Sequence, residues 1–404
     1  MLSAGPAHAA DLGRQTLPAG DGWASEGAGT TGGAAAAHTH TVRTWAEFKA
    51  ALAAGGGAPK IIRVVGTLNA TEGGCEAFEA DGYDFARYLA DYDPAVWGYD
   101  TPVSGPQEDL RSVSAANQGR AIKAYVPANT TIVGVGKDAG IAGGSLQIRD
   151  VDNVIVRNLT MESPLDCFPQ WDPTDGATGA WNSEYDSMVV YGSTHVWIDH
   201  NTFTDGRYPD SSLPRYFGEV YQQHDGELDI VRGANHVTAS WNVFADHDKT
   251  LMIGNSDSAA ATDAGKLKVT LHHNLFTGVV ERAPRVRFGQ VDAYNNHYVV
   301  KGGYAYSFGV GFESGLYAEK NAFTLPEGVA AGKILKKWKD APVTAVGNRV
   351  NGRAVDLVAA HNALNPEDPL RSGAGWTPTL RTKVDDARAV PGLVGRRAGA
   401  GKVC

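Results

Sequence analysis

The feature that most constrains this chain is a recurring asparagine. The pattern appears as Asn158-Leu159-Thr160, Asn201-Thr202-Phe203, Asn242-Val243-Phe244, Asn274-Leu275-Phe276, Asn296-His297-Tyr298, Asn321-Ala322-Phe323 and Asn348-Arg349-Val350. Successive spacings are 43, 41, 32, 22, 25 and 27 residues. Each Asn follows a strand-like run such as Val154-Ile155-Val156 or Val269-Thr270-Leu271. Units this small cannot bury an apolar face alone, so they stack on one another. The shortest spacing fits one coil of a solenoid, and the longer ones fit a coil carrying a loop. Aligned Asn amides can then hydrogen-bond along the stack at the strand spacing of about 4.8 Å. The pattern predicts an all-β fold, a right-handed parallel β-helix. Insertions at 159–190, 204–229 and 245–266 would wall a continuous groove suited to a polymer. Coincidental Asn turns in a β-sandwich would not keep this register.

Composition narrows the function classes. The 36 Lys and Arg against 45 Asp and Glu give a net charge of −9, and only 20% of residues are charged against 43% hydrophobic, which excludes a disordered chain and a basic nucleic-acid coat. No run approaches the roughly 18 apolar residues a membrane-spanning helix needs. Ala7-His8-Ala9 reads as the cleavage pattern of a trimmed export signal, so residues 1–19 are expected to be a signal remnant and flexible terminus. Residues 20–404 form one solenoid domain on this reading. Thr44-Trp45-Ala46-Glu47 is a capping box ahead of Phe48 and Leu52, which predicts one short N-terminal capping helix. Lys60 to Leu68 reads as a buried strand. Helices are expected to be rare after that capping helix, and residues 69–118 read as a polar insertion anchored by Tyr88, Tyr92 and Trp97. The stretch from about 345 is expected to fold back along the solenoid. Cys75, Cys167 and Cys404 allow at most one disulfide, match no zinc or redox spacing, and leave the pairing open.

The densest chemistry lies in Gln223-His224-Asp225-Gly226-Glu227-Leu228-Asp229. Asp225 and Asp229 are four apart and project to one side, and Asp186 falls one coil earlier. Three carboxylates without Cys partners favour a hard cation, Ca²⁺ rather than Zn²⁺. Lys249, Arg282, Arg285 and Arg287 follow on neighbouring coils. Arg285 and Arg287 share a face of an extended segment, and Arg282 joins them only if Pro284 bends the chain. Clustered acids beside clustered cations point to a site that takes a metal and a polyanion together. His272-His273 and Asp246-His247-Asp248 read as packing or hydrogen-bonding groups. No nucleotide-binding glycine loop and no GxSxG occurs.

Together Trp197-Ile198-Asp199-His200, the Gln223 to Asp229 run, His247-Asp248-Lys249 and Arg282-Ala283-Pro284-Arg285-Val286-Arg287-Phe288-Gly289 resemble the secreted bacterial pectate lyases of polysaccharide lyase family 1. Gly22-Trp23-Ala24-Ser25, Thr30-Thr31-Gly32-Gly33 and Arg397-Ala398-Gly399-Ala400-Gly401 extend the resemblance over almost the whole chain. It implies β-elimination on α-1,4-linked polygalacturonate by a secreted monomer that needs neither nucleic acid nor membrane. It implies Asp186, Asp225 and Asp229 as calcium ligands, Arg282 as the base, and Lys249 and Arg287 as substrate-binding residues. Asp175 would help hold an extra calcium arriving with substrate. Asp199 and His200 are expected to be structural. An arginine base is chemically demanding, since its reference pKa exceeds about 12, and Lys249, near about 10.4, is the easier base. A pectin lyase would replace a carboxylate ligand with a basic residue. A polysaccharide-binding solenoid would not need all three cations beside the acids. A hydrolase would pair two carboxylates without an Arg cluster.

Overall fold

The computed structural model describes residues 11–403, so the Ala7-His8-Ala9 pattern and Cys404 lie outside the described residues. Each coil contributes one strand to an eight-stranded sheet and two to an eighteen-stranded sheet, almost all paired in parallel, which makes the predicted right-handed parallel β-helix. The eight-stranded sheet, here the groove sheet, holds Lys123–Tyr125, Ser145–Arg149, Met188–Tyr191, Leu228–Val231, Leu251–Ile253, Arg285–Val286, Phe308–Val310 and Leu335–Lys337.

The two strands each coil gives to the larger sheet meet at a two-residue corner, such as His200-Asn201 between Thr194–Asp199 and Thr202–Thr204. The first corner residue has positive φ, at His200, Trp241, His273, Asn295 and Lys320, which turns the chain. The second is the ladder Asn. Asn201 Nδ2 donates to Asn242 Oδ1 at 3.1 Å, and the same contact links Asn242 to Asn274, Asn274 to Asn296, Asn296 to Asn321 and Asn321 to Asn348 at 2.9 to 3.1 Å. Asn158 is not a rung. It holds the positive-φ place, φ 59, and the Leu159 N–H donates to Asn201 Oδ1 at 3.1 Å. The motif in that coil is shifted by one residue. Inside the corner, Phe203, Phe244, Phe276, Tyr298 and Phe323 stack with centroids 4.6 to 5.0 Å apart. That is the interstrand spacing of the sheet, so the backbone sets the ring stack.

Thr44 caps the Trp45–Ala53 helix by accepting from the Glu47 N–H, and Glu47 in turn accepts from the Arg43 N–H. Its Phe48 and Leu52 close the N-terminal end of the core. Leu357–Leu364 closes the other end with Leu357 and Val358. The chain then returns along the outside as expected: Arg381 pairs with Asp292 and Glu319, and the Gly401 N–H reaches Asn158 Oδ1 at 2.7 Å. At the start, Leu17 is buried with Ile155 and Trp197, and Asp11 pairs with Arg63, so docking begins before residue 20.

The 69–118 insertion is more helical than its sequence predicts. It contains Phe85–Asp91, Pro94–Trp97 and the long Pro106–Ile122 helix. The last has no apolar stripe because polar groups hold it. Arg111 bonds Glu108 at 2.8 Å and the Phe168 carbonyl at 2.7 Å, and Gln118 donates to the Leu165 carbonyl at 2.7 Å. A Cys75–Cys167 disulfide ties this insertion to the next one. It closes a loop with a sequence separation of 92. Cys75→Ser is expected to remove up to about 4 kcal/mol of stability by the chain-entropy argument. A fall in the thermal midpoint, seen by circular dichroism, checks this; an unmoved midpoint would mean packing alone holds the two insertions.

Candidate active site

The insertions ending at 187 and 227 each deliver an acid to the groove sheet. Asp186 lies just before Met188–Tyr191, and Asp229 lies within Leu228–Val231, facing Val189 on one side and Met252 on the other. The Gly226 N–H donates to Asp186 Oδ1 at 2.8 Å, and the Met252 N–H donates to Asp229 Oδ1 at 3.2 Å. A Cβ on Gly226 would sit 2.7 Å from Asp186 Oδ1 and 2.8 Å from Asp229 Oδ1. Any larger residue there would force the carboxylates to shift. Burial, then the charges of Asp229 and Asp225, push Asp186 well above the ordinary carboxylate range. Burial and the Asp225 charge push Asp229 up to about 7, against the opposing pull of Arg282. Three acids therefore act on one another through their charge.

Arg282 faces this field. Its φ is 58, which turns the chain ahead of Arg285–Val286. Burial opposes its charge, but Glu281, Asp229 and Asp225 outweigh burial and raise its pKa. Its Nε donates to Glu281 at 2.9 Å. Lys249 pairs by backbone with Glu281, which puts it one coil from Arg282, and its ammonium forms no ion pair among the described residues. Arg287 is anchored by two contacts: Nε donates to Asp257 at 2.7 Å and Nη1 to the Gly254 carbonyl at 2.9 Å. Arg285 lies 4.0 Å from the Trp338 ring centroid. Asp175 sits exposed in the turn between Gln170–Asp172 and Ala180–Asn182. Asp199 and His200 belong to the larger sheet, where Asp199 accepts from Arg157, His200 and Ser240. His272 and His273 bond each other at 2.9 Å within the packing of the same sheet.

Beneath the acids lies a buried support built on His247, which the sequence reads as a packing or hydrogen-bonding group, and on Asp205, which the sequence does not single out. His247 Nδ1 contacts Asp205 at 2.5 Å and Nε2 contacts the Asp225 carbonyl at 2.6 Å. Burial works against charge on His247, but Glu227 and the bonded Asp205 push it up to about 10. Glu227, with neither oxygen hydrogen-bonded, is itself pushed well up by burial, so the direct Asp205 bond is the anchor. Asp205, Asp210 and His224 also lie close enough to share a metal. Both His224 nitrogens, however, already face carbonyl oxygens, of Pro164 at 2.9 Å and Tyr208 at 2.7 Å. Asp186, Asp225 and Asp229 offer only oxygen donors, the kind a hard cation takes; Asp186 and Asp229 meet at Gly226, and Asp225 reaches both through its charge.

A pectate lyase family model matches residues 107–365. A pectate lyase of Bacillus subtilis (strain 168) is 43% identical over all of this chain and 97% of its own length. The chain belongs to the pectate lyase family, a family of polysaccharide lyases. Pectate lyase E of Dickeya chrysanthemi is 40% identical over 80% of the chain and 72% of that protein. Among solved structures, a thermostable pectate lyase superposes with a TM-score of 0.93 at 43% identity, covering 98% of this chain and all of that one. A pectate lyase bound to a hexasaccharide matches at TM-score 0.92 and 41% identity over the same shares. The resemblance read from the motifs is thus borne out, and so is the fold. Among the described residues no helix is long and apolar enough to cross a membrane.

Proposed function

We propose that this protein is a calcium-dependent pectate lyase that cleaves α-1,4-polygalacturonate to 4,5-unsaturated products. The observation carrying the reading is the convergence of Asp186 and Asp229 on Gly226, in a field shared with Asp225 and Arg282. Asp186, Asp225 and Asp229 would hold the ion through carboxylate oxygens. Bound calcium would offset carboxylate charge, both of these acids and of the substrate uronate, and so favour loss of the adjacent C5 hydrogen.

The chain's own groups then have distinct work. Arg282 takes the C5 proton; the C5–H electrons form the C4–C5 double bond, and the C4–O bond breaks with the departing sugar. With the acids uncompensated, Arg282 is held protonated, so it serves as a base only when that negative field is offset. Lys249, with no ion-pair partner among the described residues, and Arg287 hold substrate carboxylates and stabilise charge as it develops. Arg287 does so with its position fixed by Asp257 and Gly254. His247 fixes the main chain of Asp225. Retention of all three aspartates argues against a pectin lyase. The Cys75–Cys167 bond, of a kind that persists in oxidising surroundings, supports secretion, and the site is complete within one chain, as a monomer requires.

The test follows absorbance near 232 nm, where the conjugated unsaturated uronide absorbs, on polygalacturonate with calcium and with EGTA. A rise with calcium that EGTA stops is expected. A calcium-independent rise, or none, would overturn the reading.

A further inference from the structure

The groove sheet continues past the acids to a second charged surface. One cross-strand row runs Arg285, Met252, Asp229, Val189, Gln147, Tyr125. Tyr125 is three strands from Asp229, about 14 Å at the interstrand spacing. At that end lies an open cavity of about 920 Å³. Lys49 of the capping helix, Arg120 of the Pro106–Ile122 helix, and Lys123 and Arg149 of the groove sheet line it. Glu184, two residues before Asp186, lines the same cavity, so it opens beside the acid site.

None of these four cations has a carboxylate partner among the described residues. Lys49 donates to the Arg120 and Ala121 carbonyls at 2.9 and 3.2 Å. Lys123 lies 5.0 Å from the Tyr185 ring centroid. Arg149 donates to Gln147 at 2.6 Å and lies 4.7 Å from the Tyr191 ring centroid, and Arg120 donates to Asn117. Four cations without ion pairs, brought together by four elements of a chain of net charge −9, form a local positive field. Tyr125, 63% exposed, adds a ring face at the rim.

We infer that this cavity is a distal subsite for the uronate carboxylates of a long galacturonan, engaging sugars upstream or downstream of the bond being broken. The inference rests on the pectate lyase reading for its ligand. Charge complementarity and continuity with the row carrying Asp229 select that ligand over other anions. Each exposed charge contact is worth a factor of roughly two to five, so two together are worth about tenfold.

The test compares the wild type with the double variant Lys123→Gln, Arg149→Gln on long polygalacturonate and on trigalacturonate, too short to reach Tyr125 from a scissile bond at the acids. KM on the polymer should rise about tenfold, with kcat, trimer kinetics and calcium affinity unchanged. Equal losses on polymer and trimer, or none on either, would overturn the subsite. The pair Lys49→Gln, Arg120→Gln, on two other elements, repeats the test should the first variant have a lowered thermal midpoint. Titration calorimetry with polygalacturonate reads the subsite even in a wild type without lyase activity, so failure of the subsite and failure of the lyase reading are told apart.

Discussion

Arg282→Lys is expected to lower kcat on polygalacturonate about 10³-fold while leaving calcium affinity within about twofold. A lysine keeps the positive charge but not the planar fork or its reach. The bend at Arg282 sets where the head group arrives, and Glu281 fixes Nε, so a flexible ammonium would lose its place opposite the acids. The acids would still hold their ion, since none of their hydrogen bonds comes from Arg282. Single-turnover absorbance for turnover and calorimetry for calcium separate the two effects. The companion Lys249→Ala should raise KM more than it lowers kcat. If Arg282→Lys keeps full turnover while Lys249→Ala abolishes it, the two residues exchange roles.

Gly226→Ala should weaken calcium binding by at least about tenfold, because the new methyl would enter the space of two carboxylate oxygens that cannot both retreat. The site also ties affinity to pH. Asp229 in the folded, metal-free protein titrates at about 7, above its unfolded value near 3.9. The folded state thus binds that proton more tightly, so its contribution to stability is present below about pH 4 and is lost as pH rises towards 7. Calcium competes with the same proton. Its affinity should rise with pH as Asp229, and Asp186 beside it, lose their protons. Stabilisation by calcium, read as a shift in thermal midpoint, should accordingly be larger at pH 8 than at pH 5. Calcium affinity that stays flat between those values would remove the carboxylate cluster as its site.

How much of this was legible in the sequence depended on whether a residue's partner was periodic or distant. The ladder was readable because Asn201 through Asn348 repeat one corner. Asn158 misled because Arg157-Asn158-Leu159 carries an Asn one place early, and an amide suits the positive-φ place as well as the rung. The Pro106–Ile122 helix was invisible to a search for apolar spacing, since Glu108, Arg111 and Gln118 face inward on polar partners. Asp225 and Asp229 were readable from local spacing. Asp205 was not, because it meets His247 from 42 residues away. Nor could spacing choose between cysteine pairings. Gly226 stood within the acid run, but its role appears only when Asp186 arrives from the previous coil.

The two-residue corner does not change length from coil to coil, whereas the connections to and from the groove sheet range from a few residues to more than twenty. The frame is therefore indexed on the side away from the groove. Residues can be added to or deleted from the outer rims without changing the register of the groove sheet that carries Asp229. Rim segments of very different length can therefore be carried by one unaltered frame.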